Sequence, residues 1–180
     1  MIGAAHAFNI FKALTMKTLA KIYAITIATV FIAITVSAQQ TTKQAKAAAK
    51  ATAVKSKIDA QNYTFKADYA LPMRGGQKYL TSDYDLRITK DSVIAYLPYF
   101  GRAYMTAPIT PEESGIMFTS TKFAYKVEPK KKGGWLITIT PQNVKFVSKL
   151  ILDVSSTGTA SLNVSSNFRD VITFTGYMKE

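Results

Sequence analysis

Apolar and polar side chains alternate along most of the chain after residue 62. In the first such stretch Tyr63, Phe65, Ala67 and Tyr69 alternate with polar residues, so we expect all four to face one side of a strand. The same period of two recurs at six further sets of apolar positions: Tyr84/Leu86/Ile88, Phe123/Tyr125/Val127, Trp135/Ile137/Ile139, Leu150/Leu152/Val154, Ala160/Leu162/Val164 and Ile172/Phe174/Gly176. Each set predicts a half-buried β-strand.

Three more strands are predicted at residues 92–97, 102–106 and 116–120, which gives about eight to ten short strands in all. No long helical period interrupts them, so the sheet should be antiparallel. The connections are short, which favours a meander, and closing a meander on itself removes its exposed edges. The predicted fold is therefore mainly β, an antiparallel up-and-down barrel at residues 61–180. A two-sheet β-sandwich is the alternative.

A segment rich in Ala and Lys, residues 39–60, precedes the strands and is built from strong helix formers. Val54 and Ile58 are spaced four apart and could dock one end of a helix on the domain. Four lysines fall on a similar face: Lys43, Lys46, Lys50 and Lys57. The pattern predicts a solvated helical lead-in, with a basic helix lying on anionic lipid or polymer as the alternative.

Residues 16–38 have the three parts of a secretory signal peptide. Lys17 and Lys21 give a short positive region, and residues 22–35 form an uncharged, mostly apolar stretch. Small residues precede Gln39, with Ala38 at the last position before the expected cut. The pattern predicts an exported protein, periplasmic or secreted.

The start of the chain allows two further interpretations. A signal peptide normally begins with its charged region, so Met16 is the expected start and residues 1–15 an upstream extension. The uncharged run at residues 22–40 also approaches the ~20 residues that span a bilayer, so a retained transmembrane anchor is the alternative.

Cleavage after Ala38 would leave a chain that lacks both His and Cys. The chain has no Cys, and its single His, His6, lies upstream of the cut. Ser-His-Asp catalysis, thiolate chemistry and the usual zinc and copper ligand sets are thereby excluded, so we expect no enzyme, no metal and no cofactor. Removal of three lysines leaves 20 basic against 11 acidic residues, a net charge of +9. In an exported protein this charge favours an anionic envelope surface as partner and not nucleic acid.

The most distinctive run of the domain is Leu97-Pro98-Tyr99-Phe100-Gly101-Arg102-Ala103-Tyr104. Pro98 cannot donate to a strand ladder, and Gly101 relieves crowding where the backbone turns. One interpretation is an aromatic corner in which Arg102 pairs with an acid or caps carbonyls. The other is a ligand mouth in which Arg102 takes an anionic head group and Tyr99, Phe100 and Tyr104 form the wall, together with Tyr96.

Arg169 raises the same question because it lies in the Ser166–Asp170 stretch before the last predicted strand. A local bond to Asp170 or strand-end capping is one interpretation. If the last strand closes the barrel, Arg169 instead lies at its rim and joins the candidate ligand-binding residues.

Four segments together resemble a known family: the Leu97–Tyr104 run, Tyr84-Asp85-Leu86, Gly134-Trp135 and Asn167-Phe168-Arg169. The chain resembles the DUF4251 domain proteins of Bacteroidetes-type bacteria over about residues 54–178. The resemblance implies an exported, β-rich, lipocalin-like barrel. It carries no catalytic residues to transfer.

Two functions fit these observations. The first is a non-catalytic barrel that binds a small apolar or amphipathic ligand. The alternative is a structural or interaction protein of the cell envelope that contacts an anionic surface through its basic helix and exposed loops.

The exported protein should begin at Gln39, because the small residues before it meet the requirement of signal peptidase. N-terminal sequencing of the protein recovered outside the cytoplasm measures this directly. An intact N-terminus on that protein would contradict the prediction and favour the anchor.

Overall fold

The computed structural model describes residues 43–104, 114–131 and 133–179. The extension at 1–15 and the signal peptide at 16–38 lie outside these residues. The described chain has one helix, α1 at residues 43–60, followed by nine strands. The strands are β1 (Tyr63–Pro72), β2 (Lys78–Ile88), β3 (Val93–Leu97), β4 (Ile116–Ser120), β5 (Phe123–Pro129), β6 (Trp135–Pro141), β7 (Lys149–Val154), β8 (Thr159–Ser165) and β9 (Ile172–Met178). The prediction of a mainly β domain after an N-terminal helix is confirmed.

All nine strands belong to one antiparallel sheet in the order β4-β3-β2-β1-β9-β8-β7-β6-β5. Strands β1 to β4 form one meander, and β5 to β9 form a second. The first and last strands join the two, with register partners that run from Phe65↔Met178 to Pro72↔Ile172. The sheet curls into a nearly closed barrel, so the up-and-down barrel is confirmed over the sandwich.

The two edge strands of this sheet are consecutive in the chain and act as one bent strand. Eight antiparallel steps separate β4 from β5, so the two strands run in the same sense. Only Thr121 and Lys122 connect them, far fewer residues than the dozen or so that a parallel crossover needs. The buried Ser120 fixes the bend through its Oγ, which donates to the Lys122 carbonyl at 2.9 Å. The first half of this bent strand therefore pairs with β3 and the second half with β6.

Side chains fill the inside of the barrel. The largest fully buried ones are Phe65, Phe174, Ile58, Leu86, Ile88, Leu97, Ile137, Ile139, Leu150, Leu152, Leu162 and Ile172. A barrel of about eight strands has an interior just wide enough for such side chains. The described core runs from Val54 to Met178, inside the compact unit Ala47–Glu180. This unit thus holds a complete core of its own, the requirement for folding alone.

A β-bulge in β1 corrects one prediction. Ala67 pairs with Gly176 and Tyr69 with Thr175, so Asp68 is an extra residue without a partner in β9. The alternation shifts there by one position, because an extra residue turns every later side chain to the other face. Ala70 is consequently buried, and Tyr69, which the alternation places inside, is 38% exposed. A side chain at Gly176 would collide with the Lys66 carbonyl, so only glycine allows β1 and β9 to approach so closely.

Helix α1 ends in a Schellman motif that turns the chain into β1. The Asn62 N–H donates to the Lys57 carbonyl at 3.2 Å and the Gln61 N–H to that of Ile58 at 3.1 Å. Gln61 takes the left-handed conformation that this cap requires, with φ of 48°. No helix in the described part of the chain combines the length and apolar character needed to cross a bilayer.

The helix covers one end of the barrel, as its i,i+4 pair predicts. Ile58 and Val54 are both buried, and Ile58 is 1% exposed. Beside Ile58 the hydroxyls of Tyr63 and Tyr125 lie 3.0 Å apart and join β1 to β5. Burial, followed by the neighbouring Tyr125, raises the pKa of Tyr63 well above its ordinary value, and burial also raises the pKa of Tyr125. Both phenols are therefore protonated in the folded protein.

Ile58→Ala should lower the free energy of unfolding by about 2–5 kcal/mol, because it removes fully buried atoms and leaves a cavity at the barrel end. Urea denaturation measures the change. Ser56→Ala, an exposed position in the same helix, is the matched control and should change stability by less than about 0.5 kcal/mol. Equal effects of the two variants would show that the helix does not cover the core.

Alkaline pH should destabilise the fold through Tyr63. The pKa of Tyr63 is higher in the folded than in the unfolded protein. Its contribution to the free energy of unfolding is therefore complete below the unfolded pKa of about 10 and is lost as the pH rises above that pKa. For one such phenol the loss between pH 9 and pH 11 is about 1.4 kcal/mol. Tyr63→Phe should make the pH dependence of unfolding correspondingly shallower, whereas the exposed Tyr79→Phe should leave it unchanged. Parallel curves for all three proteins would contradict the assignment.

Candidate ligand-binding cleft at the loop end of the barrel

The end of the barrel opposite α1 is organised by a crossing of two loops. The chain that leaves β3 meets the connection between β8 and β9, where Ala103 and Arg169 form an isolated antiparallel bridge. Two backbone bonds flank this bridge. The Tyr104 N–H donates to the Phe168 carbonyl at 2.9 Å, and the Asp170 N–H to the Arg102 carbonyl at 3.0 Å. Residues 99–104 and 168–170 are called the aromatic corner below.

Tyr99 ties the corner together. Its hydroxyl lies 2.9 Å from the Arg102 carbonyl and 3.0 Å from the Asp170 carbonyl, and donates to them. The ring folds back over Gly101, where any Cβ would collide with the Tyr99 hydroxyl. The Leu97–Tyr104 run therefore forms a corner held by Tyr99 and by the backbone carbonyl of Arg102, whose side chain is exposed. The predicted strand at 102–106 is reduced to this bridge, with residues 105 and 106 outside the described part.

Arg169 reaches from the corner into the barrel end. Its Nη1 donates to the carbonyl of Gly115, just before β4, at 2.8 Å. The guanidinium carbon lies 5.0 Å from the ring centre of Tyr99 and 5.9 Å from that of Phe146. A flat cation held over two rings is in the arrangement that favours Arg over Lys. Arg169 is therefore half-buried and fixed in place.

Beneath Arg169 lies a partly enclosed cleft with a cavity of about 70 Å³. Its walls are apolar and come from β4, the β6–β7 connection and the ends of β8 and β9: Ile116, Met117, Phe118, Val144, Phe146, Val147, Val164 and Ile172. Its rim is polar and consists of Tyr99, Ser166, Arg169 and Asp170. An apolar cleft with a few convergent polar groups is the usual form of a small-molecule site.

The pKa values of Tyr99 and Tyr104, the two tyrosines nearest Asp170, are both raised. Burial, and then the Asp170 carboxylate, raise the pKa of Tyr99 to about 12 against the opposing effect of Arg169. A hydrogen bond from the Tyr104 hydroxyl to the Asp170 carboxylate raises the pKa of Tyr104. The mouth of the cleft therefore presents a guanidinium and a carboxylate, while both phenol hydrogens are already bonded within the corner.

The structure separates the six predicted site residues into three groups. Tyr99 and Arg169 line the cleft. Phe100, Arg102 and Tyr104 belong to the aromatic corner, but all three side chains are exposed, and Lys78 lies over the Phe100 ring. Tyr96 lies on the outer surface, where it stacks on Tyr84.

Sequence reasoning missed the contribution of the β6–β7 connection. Val144, Phe146 and Val147 form much of the apolar wall but belong to no regular strand. An apolar run inside a polar loop was the available signal, because such a run has to be buried against something. The surface against which this run packs depends on the packing of the whole barrel.

Other cavities of the described residues have different character. An open groove of about 470 Å³ runs over the outer face of the sheet near Asp68, Tyr69 and Asp153. A smaller cavity of about 90 Å³ lies between α1 and Gly158. Among the described residues no group of His, Cys, Asp and Glu could hold a metal ion.

The comparisons with known proteins agree with this fold. The profile of DUF4251, a domain of unknown function, matches residues 45–178. A crystal structure of a DUF4251 family protein from Bacteroides eggerthii matches with a TM-score of 0.54 at 16% identity, and covers 75% of this chain and 90% of that one. No curated protein gives a match. Since the profile spans most of the sequence, the chain belongs to the DUF4251 family.

Proposed function

We propose that this protein is an exported, non-catalytic binding protein whose site is the cleft under Arg169. The observation that carries the proposal is the half-buried guanidinium stacked on Tyr99 at the mouth of an apolar cleft. The export rests on the signal-peptide pattern at residues 16–38. The absence of His and Cys from the expected mature chain supports binding over catalysis.

The size of the cavity sets the size of the ligand. Binding sites for drug-sized molecules occupy about 300–1,000 Å³, and side chains already fill the middle of the barrel. The cleft has about 70 Å³, well below that range. The ligand therefore places a short apolar group of a few heavy atoms in the cleft, and not a long acyl chain inside the barrel.

The polar residues at the mouth of the cleft determine which head group the ligand carries. Arg169 brings a permanent positive charge, and its guanidinium can fork to a carboxylate. The Asp170 carboxylate beside it accepts a hydrogen bond from the Tyr104 hydroxyl. A small amphipathic acid fits both the apolar walls and this rim.

A series of carboxylates should bind the purified protein in order of fit. Affinity should rise from acetate to isovalerate, as the apolar group fills the cleft, and fall for octanoate, which is too long for it. Isovaleramide, with the same shape and no charge, should bind at least about tenfold more weakly than isovalerate, because a hydrogen bond to a charged group contributes about 1.5–3 kcal/mol. Calorimetry and NMR shifts of the arginine side chains measure both effects.

Arg169→Gln should weaken isovalerate binding by about tenfold or more. Arg102→Gln is the matched control, since it removes an exposed guanidinium of the same corner and keeps the backbone carbonyl that Tyr99 and Asp170 bond. Thermal unfolding of both variants shows whether the fold survives. Equal affinity for acid and amide, or equal loss in the two folded variants, would contradict the proposal.

A further inference from the structure

Large apolar side chains lie exposed on the outer surface next to the aromatic corner. Met73 and Tyr104 are each 69% exposed, and Phe100 is 40% exposed. These three residues are called the aromatic rim below. Three exposed cations lie among them: Arg74, Lys78 and Arg102. Exposed apolar groups clustered at one place mark an interaction surface rather than the scattered exposure of an ordinary protein.

Several contacts bring the β1–β2 hairpin next to the aromatic corner. Lys78 extends its Nζ to within 5.5 Å of the Phe100 ring centre, which connects the β1–β2 hairpin to the corner. Pro72 at the end of β1 pairs with Ile172, so this hairpin also borders the β8–β9 connection. Arg74 and Arg102 both act electrostatically on Tyr104. The hairpin and the corner thus present their apolar and cationic groups together.

The hairpin stands clear of the barrel. Gly75 and Gly76 at its tip have φ of 94° and 72°, and a Cβ added to either would meet no atom within 4 Å. Met73 and Arg74 lie directly before these glycines. The surface is therefore a projection and not a groove, a shape that suits a broad, soft partner better than a small ligand.

We propose that the aromatic rim docks the protein on a membrane rich in anionic lipid. Tyr side chains favour the boundary between water and hydrocarbon, and Met73 and Phe100 add apolar area that can enter it. Arg74, Lys78 and Arg102 supply positive charge around them. The acidic residue of the aromatic corner, Asp170, bonds to Tyr104 and sets one carboxylate against these three cations.

This surface is distinct from the basic helix that the sequence suggests for the same task. Helix α1 presents exposed lysines and alanines, but its described apolar residues Val54 and Ile58 are buried against the barrel. The helix can therefore contribute positive charge to membrane binding, but Val54 and Ile58 are not available to insert into the bilayer. The residues of the aromatic rim do not line the cleft, although Tyr104 bonds to Asp170 at its mouth.

The experiment is flotation of residues 39–180 with vesicles of phosphatidylcholine, with and without phosphatidylglycerol, at low and high salt. We expect binding to the anionic vesicles that weakens with salt, because surface charges are screened. Combined Arg74→Gln, Lys78→Gln and Arg102→Gln should reduce partitioning about a hundredfold at low salt, at roughly 1 kcal/mol for each cation. Combined Met73→Ser and Tyr104→Ser should reduce it about tenfold at any salt concentration.

Matched controls carry the same changes elsewhere on the surface. Lys90→Gln, Lys122→Gln and Lys131→Gln remove three exposed cations, and Tyr177→Ser removes a 40% exposed tyrosine on β9. Both controls should keep most of the vesicle binding. Circular dichroism confirms that each variant folds.

Three results would overturn the proposal. The first is no binding to either vesicle. The second is binding that survives both rim variants but is lost when Lys43, Lys46 and Lys50 become Gln, which would assign the contact to α1. The third is rim-dependent binding to a soluble polyanion such as dextran sulfate without binding to vesicles, which would make an acidic polysaccharide the partner.

Discussion

The pairing of β1 with β9 is the contact on which the rest of the structure depends. It joins two meanders whose covalent connection is the short link between β4 and β5. The pairing is close because Gly176 has no side chain to separate it from Lys66. With this seam formed, β4 and β5 lie at the opposite side of the curled sheet and share the role of one strand. An antiparallel barrel needs an even number of strands. The nine strands meet this requirement because β4 and β5 act as one bent strand, which leaves eight.

Closure also decides where ligand chemistry can occur. The sheet is narrow, so the inward side chains of opposite walls meet and fill the interior. One end is covered by α1 through Ile58. The cleft under Arg169 lies at the other end, where the corner residues Tyr99 and Arg169 meet the β6–β7 connection. The candidate site therefore lies at the end of the barrel and not at its centre.

The aromatic corner gives the loop end two surfaces with different chemistry. Its inner side holds Arg169 over Tyr99 and forms the cleft. Its outer side exposes Phe100 and Tyr104 beside the β1–β2 hairpin. A single crossing of two loops thus supports a small enclosed cleft and a broad projecting surface. Tyr99 is central to both because its hydroxyl holds the carbonyls of Arg102 and Asp170 together.

By itself the sequence determined the elements and the class of fold. Period-two alternation predicted the strands because each has one buried face, and Val54 and Ile58 predicted the docked helix because they lie one turn apart. It also brought out the Leu97–Tyr104 run as distinctive. The tertiary structure alone decided the strand order β4-β3-β2-β1-β9, the half-buried position of Arg169 and the bulge that turns Tyr69 outward. The physical reason is that alternation reports which side of a strand is buried, whereas the choice of partner strand, and of the loops that meet at its end, depends on residues distant in the chain.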